Sequence, residues 1–450
     1  MNTRLAVLLV AGFVMCWGCA SSPNAVDDGW WADTLEETLQ ADVRTLSEQH
    51  PRRHASRGDS LEAAAIWLVD RLAQAGFRAE SEWFDANIRD GTRRVRNLIV
   101  EVPGTQDPDT IIVIGAHYDS VPETPGADDN ASGVAAVLAL ARWFRENPQP
   151  ATIRFVLFAN EEPPYFHGDQ MGSFVRASAA RAADDRIAAM IAFDMLGYFT
   201  SKPVNARTAM LGSQLGVELP ERERFIVIAA WTPYAELVDR VTSSWSGDIP
   251  AVGVAAPETV RQVALSDHWS YWQMGYPAVM VTDTAFLRNP HYHRPSDTAE
   301  TLDYRSMASV VRSLRLAIGD LASNPPEAVQ LRQTTVGLTN MSGEAMTVTL
   351  TSTGSRPDDV LLPVDAEVQV TINQHGTIVI GEVEIRIGLT VDVSNNGEEL
   401  TTVTYAVGDG RTGRMMLGRG GRGSFERSET ITVGPVSIRV FDDPPQMEGR

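Results

Sequence analysis

Lysine is almost absent from this chain of 450 residues, because Lys202 is the only one. A phosphate-binding P-loop needs a lysine beside its glycines, and a Schiff-base enzyme needs a lysine amine, so neither class fits this sequence. A Gly-x-Ser-x-Gly stretch is also missing, which argues against a hydrolase with a serine on a nucleophile elbow. Acidic residues outnumber basic ones by 58 to 38, and the net charge of −20 argues against nucleic-acid binding, which requires a positive surface.

The only long apolar run near the N-terminus covers residues 5–17 and follows Arg4. It is too short to span a bilayer and is typical of a signal peptide. Gly18 followed by Cys19 resembles the processing site of bacterial lipoproteins, in which the cysteine becomes the lipidated first residue. We therefore expect residues 1–19 to be a lipoprotein-type signal peptide. The protein would be exported and held in the cell envelope by a lipid on Cys19, or secreted.

Cysteine is scarce as well, since Cys16 and Cys19 are the only two. A mature chain that begins at Cys19 would hold no disulfide and no thiolate metal site. Any bound metal must then rely on histidine and carboxylate ligands.

The middle of the chain alternates helical patterns with apolar runs. Helical patterns cover residues 31–49, 60–75 and 133–145. Asp59 and Glu62 have the spacing of a capping box for the second helix, and Gly76 ends it. Apolar runs predict strands at residues 97–102, 110–115, 153–159, 187–193, 225–230 and 278–281. The alternation predicts an α/β fold of three layers, with helices on both faces of a mixed, largely parallel sheet.

The pattern changes after Asn324, where Pro325 and Pro326 end the last helix. Beyond them short strand-like runs recur, and their alternating polar faces, as in MTVTLTST, predict a small sandwich. We expect a linker over residues 20–30, the α/β domain over residues 31–325, and a small all-β accessory domain over residues 326–450.

Polar side chains follow the predicted strands at the edge where each strand ends. These are His117 and Asp119 after IIVIG, Asp128 and Asp129 at the next helix, Glu161 and Glu162 after IRFVLFAN, Asp194 after AAMIAF, and His293 beyond AVMVT. Ligands in open α/β sheets bind at this edge. Histidine and carboxylate groups that converge there suit a borderline cation such as zinc, and a carboxylate is able to bridge two such ions.

The motifs GAHYDS, DDNASG, NEE, AFDMLG and YHRPSDT occur in this order in a stretch that resembles the co-catalytic di-zinc aminopeptidase family. Glutamate carboxypeptidase, glutaminyl cyclase and the transferrin receptor ectodomain share its zinc-exopeptidase fold. The resemblance covers about residues 31–322. It implies that residues 31–325 are a zinc peptidase domain that removes N-terminal residues from peptides with a water activated by two zinc ions.

The resemblance also implies a role for each site residue. The zinc ligands would be His117 and Asp194 for one ion, Glu162 and His293 for the other, and Asp129 as the bridge. Glu161 would act as the general base, Tyr292 would stabilise the oxyanion, and Asp119 would orient His117.

Neighbouring residues compete for two of these roles. His291 lies two residues before His293, but the family pattern of histidine, three residues and then Asp297 favours His293. Asp128 competes with Asp129, and the residue directly before the asparagine matches the bridging aspartate of the family. That match leaves Asp128 as a helix cap.

The substrate pocket is less well marked. His268 and Trp269, in SDHWSYW, are candidates to line it, although a structural histidine explains His268 at least as well. The paired glutamates are followed by PPYFHGDQMGS in place of the short glycine-rich turn of the family. We expect Pro163 and Pro164 to stiffen this loop, so that it narrows access to the metals.

Other functions fit parts of the pattern. Glutaminyl cyclases resemble the same family but use a single zinc ion, and a carboxypeptidase for acidic C-termini needs more arginines than Arg288 and Arg294. A receptor or binding module on an inactive peptidase fold would have lost ligands, whereas this chain keeps all five together with Glu161. The sequence thus predicts an enzyme with a peptide substrate, no nucleic-acid partner, and membrane contact only through a lipid. It leaves the oligomeric state open.

Overall fold

A computed structural model describes residues 29–257 and 260–326 and, further along, the backbone of twelve strands between Thr334 and Phe441. The predicted signal peptide, Cys19 and most of the predicted linker lie outside the described residues. Helix α1 (Gly29–Arg44) begins within that linker, so the domain starts earlier than expected. Trp31 explains the early start, because it is buried and packs edge-on against Trp143. Among the described residues, no helix has both the length and the apolar character of a membrane span.

An eight-stranded sheet forms the centre of the α/β domain. Across the sheet the strands are β1 (Glu80–Ile88), β2 (Gly91–Val102), β4 (Ala151–Phe158), β3 (Asp107–His117), β5 (Arg186–Phe193), β8 (Ala278–Thr282), β6 (Ile226–Trp231) and β7 (Ala251–Ala256). The pairs β4–β3, β3–β5, β5–β8 and β6–β7 are parallel, whereas β1–β2, β2–β4 and β8–β6 are antiparallel. The predicted mixed sheet with a parallel centre is confirmed.

The central strands are buried on both faces because their sequences are continuous apolar runs. Every residue of β5 after Arg186 is buried, as are the last eight residues of β3. The edge strand β1 consists mainly of exposed and partly buried residues. Its polar side chains interrupt any apolar run, so the apolar pattern did not predict this strand.

Helices cover the sheet in two layers. The helices that follow α1 are α2 (Ser60–Gln74), α3 (Gly133–Glu146), α4 (Gly172–Ala182), α5 (Ala206–Gln214), α6 (Ala235–Ser243), α7 (His268–Gln273) and α8 (Tyr304–Ser323). In one layer α1 contacts α3 and α8, and α8 contacts α6, while in the other α4 packs on α7. Most buried residues of α3 are alanine, valine and leucine, whose small and medium side chains let the helix lie close to β3 and β4, and Trp143 and Phe144 are buried near its end.

The predicted capping box of α2 is wrong. The side chain of Asp59 makes no cap hydrogen bond, and Glu62 instead accepts a hydrogen bond of 2.6 Å from Arg96 on β2. The ion pair with the sheet therefore replaces the reciprocal hydrogen bond of the box. Gly76 does follow the end of α2, and its φ of 83° is a left-handed conformation that favours glycine.

The strands after the last helix form two six-stranded sheets. Their bounds are β9 (Thr334–Asn340), β10 (Met346–Thr351), β11 (Asp358–Leu362), β12 (Glu367–Ile372), β13 (Gly376–Ile380), β14 (Val383–Ile387), β15 (Thr390–Asn395), β16 (Thr401–Ala406), β17 (Thr412–Leu417), β18 (Arg422–Glu426), β19 (Thr430–Val433) and β20 (Val436–Phe441). The orders are β11-β10-β13-β14-β15-β18 and β12-β9-β20-β19-β16-β17. That this region is a separate accessory domain stays a prediction.

Candidate active site

The predicted site residues meet at the carboxyl edge of the parallel strands. His117 is the last residue of β3, Glu161 and Glu162 follow β4, Asp194 follows β5, and His293 lies in the loop after β8. Because β4, β3, β5 and β8 are parallel neighbours, their carboxyl ends lie side by side. The sheet thus gathers side chains that are far apart in the sequence.

Left-handed backbone conformations accompany these side chains. Asn160 has a φ of 60°, Met195 of 64° and His293 of 57°. Residues other than glycine rarely adopt this region, and where they do, the strain is concentrated at functional sites. His293 is a predicted metal ligand, Met195 directly follows the predicted ligand Asp194, and Asn160 directly precedes the predicted base Glu161, so the sharp turns serve to aim these side chains.

Two groups of three donors share Asp129. The ligand atoms of His117, Asp129 and Asp194 lie within 4.8 Å of one another, as do those of Asp129, Glu162 and His293. Oδ1 of Asp129 lies 3.4 Å from Nε2 of His117, and Oδ2 lies 3.1 Å from Nε2 of His293. The two oxygens of one carboxylate therefore face two different donor groups, which is the arrangement a bridging ligand requires.

Some of these donor atoms have no hydrogen-bond partner, as expected of atoms that bind a cation. Nε2 of His117 and Oε1 of Glu162 are buried and have no hydrogen-bond partner within the described structure. Buried polar atoms without a partner are costly, and buried charges persist only when they are paired or bind a metal. Since imidazole and carboxylate are donors that zinc takes, the residues present fit zinc.

The electrostatics of the cluster point the same way. Burial alone would lower the pKa of His293, but its hydrogen bonds to Asp129 and Glu162 outweigh this and raise the pKa to about 10. Burial, reinforced by the charge of Asp129, raises the pKa of Glu162 to about 7. Burial also raises the pKa of Glu161 well above its ordinary value. Without metal, protons thus supply the positive charge that a cation would supply.

Asp119 does more than face His117. Its Oδ1 lies 3.5 Å from Nδ1 of His117. Its two oxygens also accept the backbone N–H groups of Glu161 and Glu162, each at 3.0 Å. One fully buried carboxylate therefore holds the turn that presents both glutamates.

The structure separates the competing candidates. His291 belongs to none of the donor groups, and its Nδ1 lies 3.0 Å from Oγ of Ser296. Asp128 belongs to none either, and the prediction that it caps a helix is wrong. Its carboxylate accepts the backbone N–H of Gly197 at 2.9 Å and the side-chain amide of Asn289 at 2.7 Å. Asp128 thus ties the loop after β5 to the loop that carries His293.

Two residues of the site escaped the sequence reasoning as functional candidates. Asp297 accepts the backbone N–H groups of Asp128 and Asp129, at 2.9 and 3.2 Å, and so holds the turn with the shared carboxylate. Its fixed distance from His293 in the sequence is a signal that was available. Arg53 is fully buried beneath the same turn. The sequence did not indicate that Arg53 belongs to the site, because arginine side chains are usually exposed.

An apolar cavity of ≈190 Å³ opens beside the donors. It is bordered by α5, residues 215–219, β6 and the turn at residues 285–287, and it extends to Glu161, Asp194 and Tyr292. Its lining includes Leu211, Leu215, Val217, Leu219, Val227 and Met280. Tyr292 stands at the junction of cavity and donors, stacked on the ring of His293 with centroids 3.7 Å apart.

His268 and Trp269 do not line this cavity, which corrects the expectation for the pocket. His268 is fully buried, and its Nε2–H donates to the carbonyl of Val263 at 2.7 Å. Burial lowers its pKa to about 3, so it is a neutral structural histidine. Trp269 instead stacks on His167 of the loop after β4, with centroids 4.1 Å apart. From that loop, Pro163 and Phe166 border the cavity, and the narrowing of access by this loop stays a prediction.

Comparison with known proteins identifies the same region. The profile of peptidase family M28 matches residues 97–318. Escherichia coli protein YfbL, described as uncharacterized, is 35% identical over 291 residues, which cover 61% of this chain and 85% of that protein. The chain belongs to peptidase family M28. This M28 peptidase is therefore a zinc-dependent metallopeptidase of the hydrolase class.

Further relatives match part of the length of the M28 peptidase. A probable leucine aminopeptidase of Trichophyton verrucosum is 28% identical over 310 residues, covering 65% of this chain and 75% of that protein. Among solved structures, the zinc aminopeptidase BSAP of Bacillus subtilis is 14% identical, covers 65% of this chain and 97% of that chain, and gives a TM-score of 0.50. That likeness shows a common fold.

Proposed function

We propose that this M28 peptidase is an aminopeptidase that binds two zinc ions and removes residues one at a time from the free N-terminus of peptides. The observation that carries the proposal is the placement of Asp129, whose two oxygens face His117 and His293 in separate donor groups. A site for one ion has no use for the second group. The shared carboxylate therefore favours a pair of ions over a single one.

The five donors divide between the two ions. His117 and Asp194 would hold one ion, Glu162 and His293 the other, and Asp129 would bind both. When bound, zinc supplies Lewis acidity, which polarises the scissile carbonyl and makes a water molecule more acidic. Asp119 supports both halves at once, because it faces His117 and anchors the backbone of Glu162.

Glu161 is the general base in this proposal. Its Oε2 lies 3.9 Å from Nε2 of His117, and its side chain borders the cavity where a substrate would lie. From this place the carboxylate takes the proton of the attacking water and delivers it to the nitrogen of the leaving amine as the C–N bond breaks. Proton transfer by a positioned side chain contributes about 10² to 10⁴ in rate.

Tyr292 stabilises the negative charge that develops on the carbonyl oxygen. Its ring stacks on His293 and borders the cavity, so its hydroxyl is within the site. Burial and the nearby charge of Asp129 raise the pKa of Tyr292, so the hydroxyl keeps its proton at neutral pH and is able to donate a hydrogen bond.

The cavity supports a bulky apolar residue, such as leucine or phenylalanine, at the N-terminus of the substrate. Apart from the donors and Glu161, no charged side chain lines it within the described residues. Its mouth is acidic where Glu161 and Asp194 border it, which suits the free ammonium group of that residue. The name of the Trichophyton relative, a probable leucine aminopeptidase, agrees with this substrate class.

The test follows which end of a peptide shortens. The purified protein is incubated with a mixture of free and N-acetylated peptides beside the Glu161→Gln variant, and the products are identified by mass spectrometry. We expect stepwise loss from free N-termini only, and a loss of rate in the variant of about 10² or more with both zinc ions retained.

Three outcomes would contradict this proposal. Two bound zinc ions without cleavage of either set would point to another amide substrate. Loss of ammonia from N-terminal glutamine would mean glutaminyl cyclisation. Equal ligand binding by wild type and Glu161→Gln, without turnover in either, would instead describe a binding module.

We also propose that the protein is exported and anchored by a lipid at Cys19, on the basis of the apolar run and the Gly18–Cys19 pair. The test compares the wild type with Cys19→Ala in membrane and soluble fractions of the producing bacterium. Lipidation predicts that the variant leaves the membrane fraction, and an unchanged distribution would refute the anchor.

A further inference from the structure

Arg53 lies between α1 and α2, outside the stretch that the family profile covers. Its side chain is 0% exposed. Charged side chains are almost never fully buried unless they are paired or fully hydrogen-bonded. The surroundings of Arg53 must therefore compensate for its burial.

Backbone carbonyls provide that compensation. The guanidinium donates to five of them, from Nε to Tyr118 at 2.7 Å, from Nη1 to Leu46 at 3.0 Å, His50 at 3.3 Å and Pro125 at 2.7 Å, and from Nη2 to Gly126 at 2.8 Å. None of these acceptors is a carboxylate. Three belong to the segment of residues 118–126 and two to the stretch at the end of α1, so one side chain joins the two.

The segment of residues 118–126 carries the site at both ends. Asp119 is near its start, and the shared Asp129 follows three residues after its end. Backbone contacts tighten the same junction, because the N–H of Arg53 donates to Oγ of Ser120 at 3.1 Å and the N–H of Ser120 donates to the carbonyl of Arg53 at 2.9 Å. A displacement of this segment would therefore move both aspartates.

Gly126 permits the close approach of the guanidinium. A Cβ at this position would lie 2.7 Å from Nη2 of Arg53 and 2.5 Å from the carbonyl oxygen of Asp129. The φ of 64° at Gly126 also favours glycine. The glycine thus leaves the space that the guanidinium of Arg53 occupies.

The charge of Arg53 acts on the same groups. The negative charges of Asp297, Asp119, Asp129 and Glu162 act on the guanidinium and oppose the effect of burial on its pKa. Burial lowers the pKa of Arg53 to about 10, which leaves it charged at neutral pH.

We propose that Arg53 is a positioning residue that holds the segment of residues 118–126 and thereby sets the placement of Asp119 and Asp129 for metal binding. This inference rests on the proposed function. Because the contacts are to carbonyls in several directions, the planar guanidinium with its five N–H donors is required, and a lysine ammonium with three donors does not replace it.

The experiment compares Arg53→Met, Arg53→Lys and Gly126→Ala with the wild type in the purified protein. Arg52→Met is the matched control, since Arg52 is adjacent but exposed. The readouts are the zinc dissociation constant from chelator competition, kcat and KM for a free peptide, and the melting temperature of each zinc-loaded variant.

We expect Arg53→Met to weaken zinc binding about 10- to 100-fold, as is typical when support of a ligand is removed. The value of kcat should fall by a similar factor while KM changes little, because the apolar cavity is untouched. Arg53→Lys should recover only part of the zinc affinity and kcat that Arg53→Met loses. Gly126→Ala should resemble Arg53→Lys in both quantities, and Arg52→Met should match the wild type.

Wild-type zinc affinity and kcat in a folded Arg53→Met would overturn the inference. Should Arg53→Met fail to fold, unchanged zinc affinity in both Arg53→Lys and Gly126→Ala would overturn it equally. If the wild type itself binds fewer than two zinc ions or cleaves no free peptide, the proposed function fails instead, and chelator competition on the wild type separates the two cases.

Discussion

The site of this M28 peptidase depends on which of two similar neighbours in a motif faces the other donor side chains. His291 and His293 are two residues apart, yet only His293, with a left-handed backbone, faces Asp129 and Glu162. His291 lies beside Ser296 instead. A motif places both residues at the site, while the backbone conformation decides between them.

Substitution of the two histidines provides a matched test. We expect His293→Asn to bind one zinc ion fewer and to lose kcat/KM by about 100-fold or more, since even loss of ligand support acts on this scale. His291→Asn should keep both ions and most of the activity. Metal analysis of the purified variants checks this, and loss of zinc from His291→Asn alone would reverse the assignment.

At the level of helices, capping shows how well a local sequence pattern predicts a hydrogen bond. Asp59 and Asp303 both precede a helix, but only Asp303 is used as a cap. Its Oδ1 accepts the backbone N–H of Ser306 at 3.0 Å, and its Oδ2 accepts the Ser306 hydroxyl at 2.6 Å. The spacing of a capping box is thus insufficient when a sheet offers a competing ion pair, as Arg96 does for Glu62.

The two caps predict different costs on truncation. Asp303→Ala should lower the free energy of unfolding by about 1 kcal/mol, because an unpaired N–H remains at the start of α8. Asp59→Ala should cost less than about 0.5 kcal/mol, as for an exposed surface residue. Urea unfolding of both variants decides, and equal losses would mean that Asp59 also caps its helix in solution.

The elements around the cavity predict the specificity. Val227 on β6 lines the apolar cavity, so Val227→Phe should fill part of it. We expect kcat/KM for peptides with N-terminal leucine to fall about 10-fold or more relative to N-terminal alanine, the scale of a mismatch in an apolar pocket. Competition between the two peptides in one reaction measures the ratio, and an unchanged ratio would place the specificity pocket elsewhere.

In the whole molecule, the buried carboxyl groups link stability to metal and pH. Burial raises the pKa of Glu162 to about 7, of Asp297 to about 8 and of Asp283 to about 6. The pKa of His293 is raised to about 10 despite its burial, through hydrogen bonds to Asp129 and Glu162. In each case the folded state binds the proton more tightly than the unfolded chain does.

The metal-free protein should therefore lose stability as the pH rises. The contribution of the carboxyl groups is fully present below their ordinary pKa near pH 4 and disappears by about pH 8, and that of His293 declines above about pH 6.5. Zinc should weaken this trend, because it replaces the protons on the donors Glu162 and His293, and should add about 4 kcal/mol at a thousandfold excess over its Kd. Melting curves with and without a chelator at pH 5 to 8 test this. A metal-free protein that gains stability over this range would contradict it.

Much of the fold and of the donor set could be predicted because both are written in short segments. The apolar runs of β3, β4, β5 and β8 identify strands that are buried on both faces. His117, Glu162 and Asp194 lie at the end of their strands or within a few residues of it, whereas Asp129 and His293 lie further along, after β3 and β8. The order of these motifs indicates the family. The edge strands β1 and β7 were missed, because polar residues interrupt β1 and because β7 is a short run of small residues, AVGVAA.

The sequence by itself determined which chemistry is present: histidine and carboxylate donors, no thiolate, and a glutamate beside a ligand. Only the tertiary structure decided how the two oxygens of Asp129 divide between His117 and His293. It also decided that Asp297 holds the turn of Asp129 from 168 positions away and that Arg53 reaches Tyr118 across 65 positions. Short motifs determine which donor side chains lie near the end of each strand. Shared ligands, clamps and cavity walls arise from contacts between distant segments, whose partners depend on how the sheet and its loops pack.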